Sequence, residues 1–226
     1  MAGRAESPSA EPAGLRLHLA RHGQTAAARD GWFCGVTECE LTDDGRRMAE
    51  LLAERCAAAG RWLAVVSSPL ERCLETARPS AARLELPLRV EAGLREIDHG
   101  AWERRTADEI AASEGAALRA WEEHPGYRAA PGGETGYEVA ARAAPVLDEL
   151  RSAFRDGDVL VVSHKATIRV LVCVLLGIDV DRYRDRLACP PGSVTTFELR
   201  DGRDPLLLAL ADVSHLPPSL RGGDRL

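Results

Sequence analysis

The chain has 226 residues, 45% hydrophobic and 28% charged, with a formal net charge of -6. That length and composition suit one folded domain with a sizeable core and exclude fibrous or low-complexity classes. The acidic balance argues against nucleic-acid or membrane-surface partners, and the longest apolar segment, closed by "VLLGI", is too short and interrupted to span a bilayer.

Residues 1–14, rich in Ala, Pro, Ser and Glu, read as a disordered tail with no signal-peptide apolar run. "LRLHLA" alternates as a first strand and stops at Arg21. "LTDDGRRMAELLAERCAAAG" has helical spacing, with Thr42 as N-cap and Gly60 as stop. "WLAVVSS" is a buried second strand. A helix is then expected from Ser68 as N-cap, with Pro69 in its first position, Glu71 closing a capping box and Pro79 ending or kinking it. "PLRVE" is a third strand. Thr106 with Glu109, and Thr135 with Glu138, box two further helices, the second bent at Pro145. "DVLVVSH" is the most apolar strand, followed by the helix "ATIRVLVCVLLG" that Gly177 stops. "SVTTFEL" and "LLLALADV" close the chain as a hairpin, and 217–226 reads as a flexible tail. Alternating strands and helices predict a three-layer α/β/α sandwich: a mostly parallel sheet with one antiparallel edge strand, in one domain over 15–216 with a small cap at about 99–135.

The six cysteines form no CxxC pair. Cys56 and Cys173 read as small core hydrophobes, and Cys34 with Cys39 lacks the second ligand pair of a zinc site. A reducing, cytoplasmic setting is expected.

In such a sheet ligands bind beyond the carboxyl ends of the strands. Arg21, His22 and Gly23 follow the first strand there, Ser67 and Ser68 the second, with Arg72 in the next helix, and His164 and Lys165 the most apolar one. Glu96 follows the third after a short loop. Arginine forks match phosphate oxygens, and Arg72 opposes its helix dipole unless an anion sits beside it. A neutral imidazole can attack phosphorus, a second, protonated one can stabilise charge on the equatorial oxygens, and a carboxylic acid can protonate the leaving oxygen.

These residues and their flanks resemble the histidine phosphatase superfamily, also called phosphoglycerate-mutase-like. "LARHGQT", "LTDDGRRMAELLA", "VVSSPLERCLETA", "LREIDHGAWE", "PGGET" and "VVSHKATIRVLVCVLLG" are similar to its motifs and occur in family order. The resemblance implies a phosphohistidine mechanism without metal or cofactor. His22 would be the nucleophile, Arg21, Arg72 and His164 the phosphate pocket, and Glu96 the proton donor and later base. Arg21, Gln24, Thr25, Arg72, His164 and Lys165 would touch the substrate. The chain departs from the family pattern at Gln24, at Ala28 where asparagine is usual, and at Lys165 where glycine is usual.

The expected activity is hydrolysis of a small-molecule phosphate ester. A phosphoglycerate-type mutase and a non-catalytic phosphate- or phosphoprotein-binding module stay open, as does a homodimer. An acceptor rim is expected from Trp32, Phe33, Trp102, Trp121, Tyr127 and Arg128, with His99 as packing, His18 as core, and His124 and His215 as structural or solvent-facing.

Overall fold

The computed structural model of the chain describes residues 14–222, so most of the expected N-terminal tail lies outside the described residues. Its six-stranded sheet has the order β3-β2-β4-β1-β5-β6. The strands are β1 (Leu15–Arg21), β2 (Trp62–Ser67), β3 (Leu88–Val90), β4 (Gly157–Ser163), β5 (Val194–Leu199) and β6 (Leu206–Asp212). β1 to β4 are parallel where they pair, β5 runs antiparallel to β1, and β6 antiparallel to β5. The reversed strand is therefore β5, one in from the edge, and the closing hairpin supplies it.

The helices are α1 (Ala26–Asp30), α2 (Asp43–Ala58), α3 (Glu71–Arg83), α4 (Ala107–Glu123), α5 (Gly136–Ala153), α6 (Lys165–Leu176) and α7 (Tyr183–Arg186). Apolar side chains cover both faces of the sheet. Leu17, Leu19, Val159 and Val161 pack with Val139 and Leu150 of α5 and Leu171 of α6. Ala20, Val65, Leu160 and Val162 pack with Leu52 of α2 and with Cys73 and Ala77 of α3. This is the three-layer arrangement that buried parallel strands require.

Local chemistry explains the helix boundaries. Thr42 accepts from the Gly45 N–H, and Thr106 and Thr135 form the two expected capping boxes. Gly177 ends α6 in the left-handed conformation. α3 starts later than expected, with Leu70 as an N-cap that makes no side-chain cap bond. Its Glu71 N–H instead donates to the Glu38 carboxylate, at 3.1 Å. Pro79 lies inside α3 and does not end it; the Glu75 carbonyl it leaves without a helical donor is on a half-buried turn. The expected loose end after 217 begins as a turn over Pro218–Leu220, whose Leu220 packs on Met48 and Leu216.

The segment after β3 has its own apolar cluster: Trp102, Ile110, Leu118, Trp121 and Ala130, with Phe33 packed on it. Trp102 and Trp121, expected at a rim, are buried here. Trp32 and Tyr127 are exposed. α4 is kinked at Glu114, whose carboxylate accepts from Trp102 Nε1 and from Arg105.

Candidate active site

β1 and β4 are paired in register so that Arg21 lies opposite Ser163. The next residue of each chain segment is therefore a histidine at the carboxyl end of the sheet. The His22 and His164 rings stand edge to face, 5.2 Å apart at 62°. The backbone bond from His22 N to Ser163 O, 3.0 Å, fixes the first of them.

His22 Nδ1 lies 2.8 Å from its neighbour's carbonyl, Gly23 O. A carbonyl only accepts, so Nδ1 carries the proton and Nε2 presents its lone pair. Burial holds the His22 pKa well below the ordinary value, and the charges of Arg21 and Arg72 push it the same way. His22 is thus a neutral, oriented imidazole.

Gly23 has a steric reason. A Cβ there would stand 2.3 Å from Gly45 O, and one on Gly45 would stand 2.1 Å from Gln24 O. The first turn of α2 packs directly on the loop after β1, and only glycine allows both backbones that close. Gly23 N donates to Thr76 Oγ1 at 3.1 Å, and the Thr76 hydroxyl donates to Arg72 O at 2.7 Å. Gln24 is pinned to α2: its Oε1 accepts from Thr42 Oγ1 at 2.9 Å. Thr25 caps α1 by accepting from Ala28 N.

Arg72 is 1% exposed. Its Nη1 donates to Thr37 O at 3.0 Å, its Nη2 to Gly35 O at 2.5 Å, and its Nε to His164 Nδ1 at 3.2 Å. Since Nδ1 of His164 accepts, its proton is on Nε2, which donates to Ser68 Oγ at 2.7 Å. Burial lowers the His164 pKa well below its ordinary value, and Arg72, His22 and Arg21 add to that. His164 thus accepts from Arg72 and holds that guanidinium in place. The His164–Ser68 bond takes Ser68 away from its expected place as the cap of α3. Arg21 is also buried and donates from Nη1 to Cys189 O at 2.7 Å.

Glu96 is buried against the N-terminus of α6. Its Oε1 accepts from Ile97 N and Thr167 N at 3.0 and 3.1 Å, and Oε2 accepts from Ala166 N at 3.2 Å, while the Thr167 hydroxyl beside it donates to Arg95 O at 2.7 Å. Oε2 has the fewer donors of the two oxygens. The helix N–H groups that could have met phosphate beside Lys165 thus hold the glutamate instead. Lys165 is the first residue of α6 and half-buried.

Three residues not assigned from the sequence hold this site together. Arg142 of α5 donates to Gly93 O, Arg95 O and Glu96 O and pairs with both oxygens of Glu134. Glu134 also accepts from Asp98 N and Arg95. Burial would raise the Glu134 pKa, but its bonds to Arg142 and Asp98 N and the charge of Arg95 win, and it is lowered. Glu103 accepts from Gly35 N, Val36 N and His99 N. Glu134 lies within the quoted "PGGET", the one signal that could have found it. His99 packs on Phe33 and Trp121, with ring centroids 4.8 and 5.9 Å away. His124 pairs with Asp181 at 2.8 Å.

The assembled group comprises two guanidinium ions, two neutral imidazoles and one carboxyl at the end of a mostly parallel sheet. Guanidinium forks and a neutral imidazole are groups that suit a phosphoryl dianion. The family model of the histidine phosphatase superfamily, branch 1, matches residues 17–212, and the chain belongs to this superfamily as one of its phosphatases. It is 29% identical to phosphoserine phosphatase 1 of Hydrogenobacter thermophilus over 89% of this chain and 94% of that one. It is 35% identical to glucosyl-3-phosphoglycerate phosphatase of Mycolicibacterium vanbaalenii over 74% of this chain and 77% of the relative. Among solved structures, Bacillus stearothermophilus YhfR superposes with a TM-score of 0.82 at 29% identity, covering 89% of this chain and 98% of that one. The mycobacterial glucosyl-3-phosphoglycerate phosphatase Rv2419c complexed with VO3 gives a TM-score of 0.77 at 30% identity, covering 86% and 97%.

Proposed function

We propose that this enzyme hydrolyses a small phosphorylated metabolite through a phosphohistidine at His22, as an acid-type phosphatase that needs no metal. The observation that carries the reading is His22 itself: Nδ1 is tied to Gly23 O, which leaves Nε2 as a lone pair beside Arg21 and Arg72. Nε2 attacks phosphorus in line, a P–N bond forms and the ester P–O bond breaks. The proton on Glu96 goes to the leaving oxygen. Water then attacks phosphorus, Glu96 takes its proton, and the P–N bond breaks to return His22 to its starting state.

Arg21, Arg72 and His164 form the phosphate pocket in this reading. The guanidinium charges neutralise the equatorial oxygens, and His164 keeps Arg72 aimed. Gln24, Thr25 and Lys165 line the substrate side. Two relatives act, by name, on phosphoserine and glucosyl-3-phosphoglycerate, both of which carry a carboxylate beside the phosphate. Carboxylate-bearing esters therefore head the substrate class. Single-domain organisation with a cap at 99–135, a cytoplasmic setting and a homodimer belong to the same reading.

The test is a hydrolysis screen in the presence of a chelator. Phosphoserine, 3-phosphoglycerate, glucosyl-3-phosphoglycerate, a sugar phosphate and a nucleoside monophosphate make up the panel. Turnover of at least one ester without metal is expected, and a strict requirement for a divalent ion would overturn the mechanism.

A further inference from the structure

The segment between Cys34 and Cys39 is fixed from two sides. Glu103 accepts from the backbone N–H groups of Gly35, Val36 and Thr37, at 3.0, 3.1 and 3.4 Å. Arg72 donates to the carbonyls of Gly35 and Thr37. The loop is thereby folded back on itself, and the two sulfurs meet at 2.9 Å, with the Cys34 thiol donating to Cys39. Both cysteines are half-buried, whereas the other four are buried. They line a cleft of 440 Å³ together with Trp32, Phe33, Leu41 and Arg104.

The surroundings divide the chemistry between the two sulfurs. The hydrogen bond from Cys34 holds the Cys39 pKa down at about 6 against the pull of burial, and the charge of Arg72 adds to that effect. Cys34 keeps its proton and is pushed up. Burial raises Cys56 and Cys173 to about 11. A thiolate that is reachable and next to a guanidinium is the reactive form of cysteine.

We infer that Cys34 and Cys39 are a reversible oxidation site for peroxides, in which Cys39 is attacked first and Cys34 resolves it as a disulfide. The Cys39 thiolate attacks one peroxide oxygen, and the O–O bond breaks. Hydroxide leaves and takes up a proton as water, giving a sulfenic acid. The Cys34 sulfur then attacks the Cys39 sulfur, the S–S bond forms, the S–O bond breaks, and a second water leaves with the Cys34 proton. The two sulfurs lose two electrons, and hydrogen peroxide gains them. The disulfide is neutral and leaves both carbonyl contacts of Arg72 in place. Further oxidation of Cys39 to a sulfinate would instead fix an anion beside Arg72, where it competes with phosphate. The resolving cysteine prevents that.

The experiment treats the full chain and its Cys34→Ser and Cys34→Ala variants with excess hydrogen peroxide, then with dithiothreitol, and maps every cysteine by mass spectrometry. The wild type is expected to give the Cys34–Cys39 disulfide and to return to free thiols. The variants are expected to give Cys39 sulfenate, trapped by dimedone, and then an irreversible sulfinate with KM for the ester raised about five-fold, the size of one exposed charge contact. Unmodified thiols, a sulfinate in the wild type, or pairing with any other cysteine would overturn the inference. The mapping does not depend on the proposed hydrolysis, so its failure is separate from failure of that reading.

Discussion

His18 lies within β1 and His22 one residue beyond its end, and the two surroundings treat them differently. At the amino end His18 Nε2 meets Asp158 Oδ1 at 2.8 Å and its Nδ1 meets Thr196 Oγ1 at 3.2 Å. Nearby, Arg55 pairs with Asp212 and Arg61 with Asp156. Charges there are balanced within the protein. At the carboxyl end His22 and His164 face Arg21 and Arg72, and the carboxyl of Glu96 is taken up by α6. There the two rings are set against guanidinium groups rather than a carboxylate. His18 is thus tied to a carboxylate of the sheet, whereas His22 and His164 are held beside guanidinium ions.

The sharpest way to break that comparison is to remove each histidine in turn. His22→Ala is expected to lower kcat/KM about 10,000-fold or more, the scale of losing a nucleophile. His18→Ala should leave KM unchanged and lower stability by about 1–3 kcal/mol, because Asp158 loses a buried partner. Kinetics and thermal melts on both proteins check this, and a catalytic defect in His18→Ala equal to that of His22→Ala would undo it.

Glu96→Gln sharpens the role of the carboxyl end. Hydrolysis of alkyl phosphates is expected to fall about 100- to 10,000-fold, the usual worth of a positioned acid. The pre-steady-state burst with p-nitrophenyl phosphate should fall less, because nitrophenolate leaves without a proton. Equal burst losses for both substrates would remove Glu96 as the donor. A smaller effect is expected from Thr76→Val, which leaves Gly23 N without its acceptor: about 1–3 kcal/mol of stability, read by denaturant melts, with the mechanism unchanged.

The two ends share one property, which pH exposes. Burial lowers the pKa of His18, His22, His99 and His164, and lowers His215 to about 4. In the unfolded chain each titrates near about 6.5. Below that value the unfolded state binds more protons, so stability rises with pH. The contribution is fully present above about 6.5 and is lost as pH falls toward the folded values, for His215 across the span down to about 4. Melting temperature should therefore be lower at pH 5 than at pH 7; an unchanged or higher value would contradict the burial of neutral rings. For the same reason activity should show no acid limb near the ordinary histidine pKa arising from His22.

Much of this was legible in the sequence because it is local. Caps such as Thr42, Thr106 and Thr135 act within three residues, and the strand ends carry their own histidines and arginines. Ser68 misled because its hydroxyl serves His164, 96 residues away, rather than its own helix. Trp102 and Trp121 look like a ligand rim in a polar stretch, and only their contact with each other, with ring centroids 5.6 Å apart, makes them a core. Arg142 and Glu103 carry no sequence signal, since the backbone groups they hold come from distant segments. The bond that orients Arg72 through His164 was not legible either, since the two residues are 92 positions apart.

The most direct test is to trap the intermediate. Enzyme mixed with a radiolabelled phosphate ester that it turns over, and quenched within one turnover, should carry label that is lost in acid and kept in alkali, as a phosphoramidate is. Peptide mapping should find that label on His22, and His22→Ala should carry none. Label that survives acid, or that maps to a serine or to His164, would contradict the account.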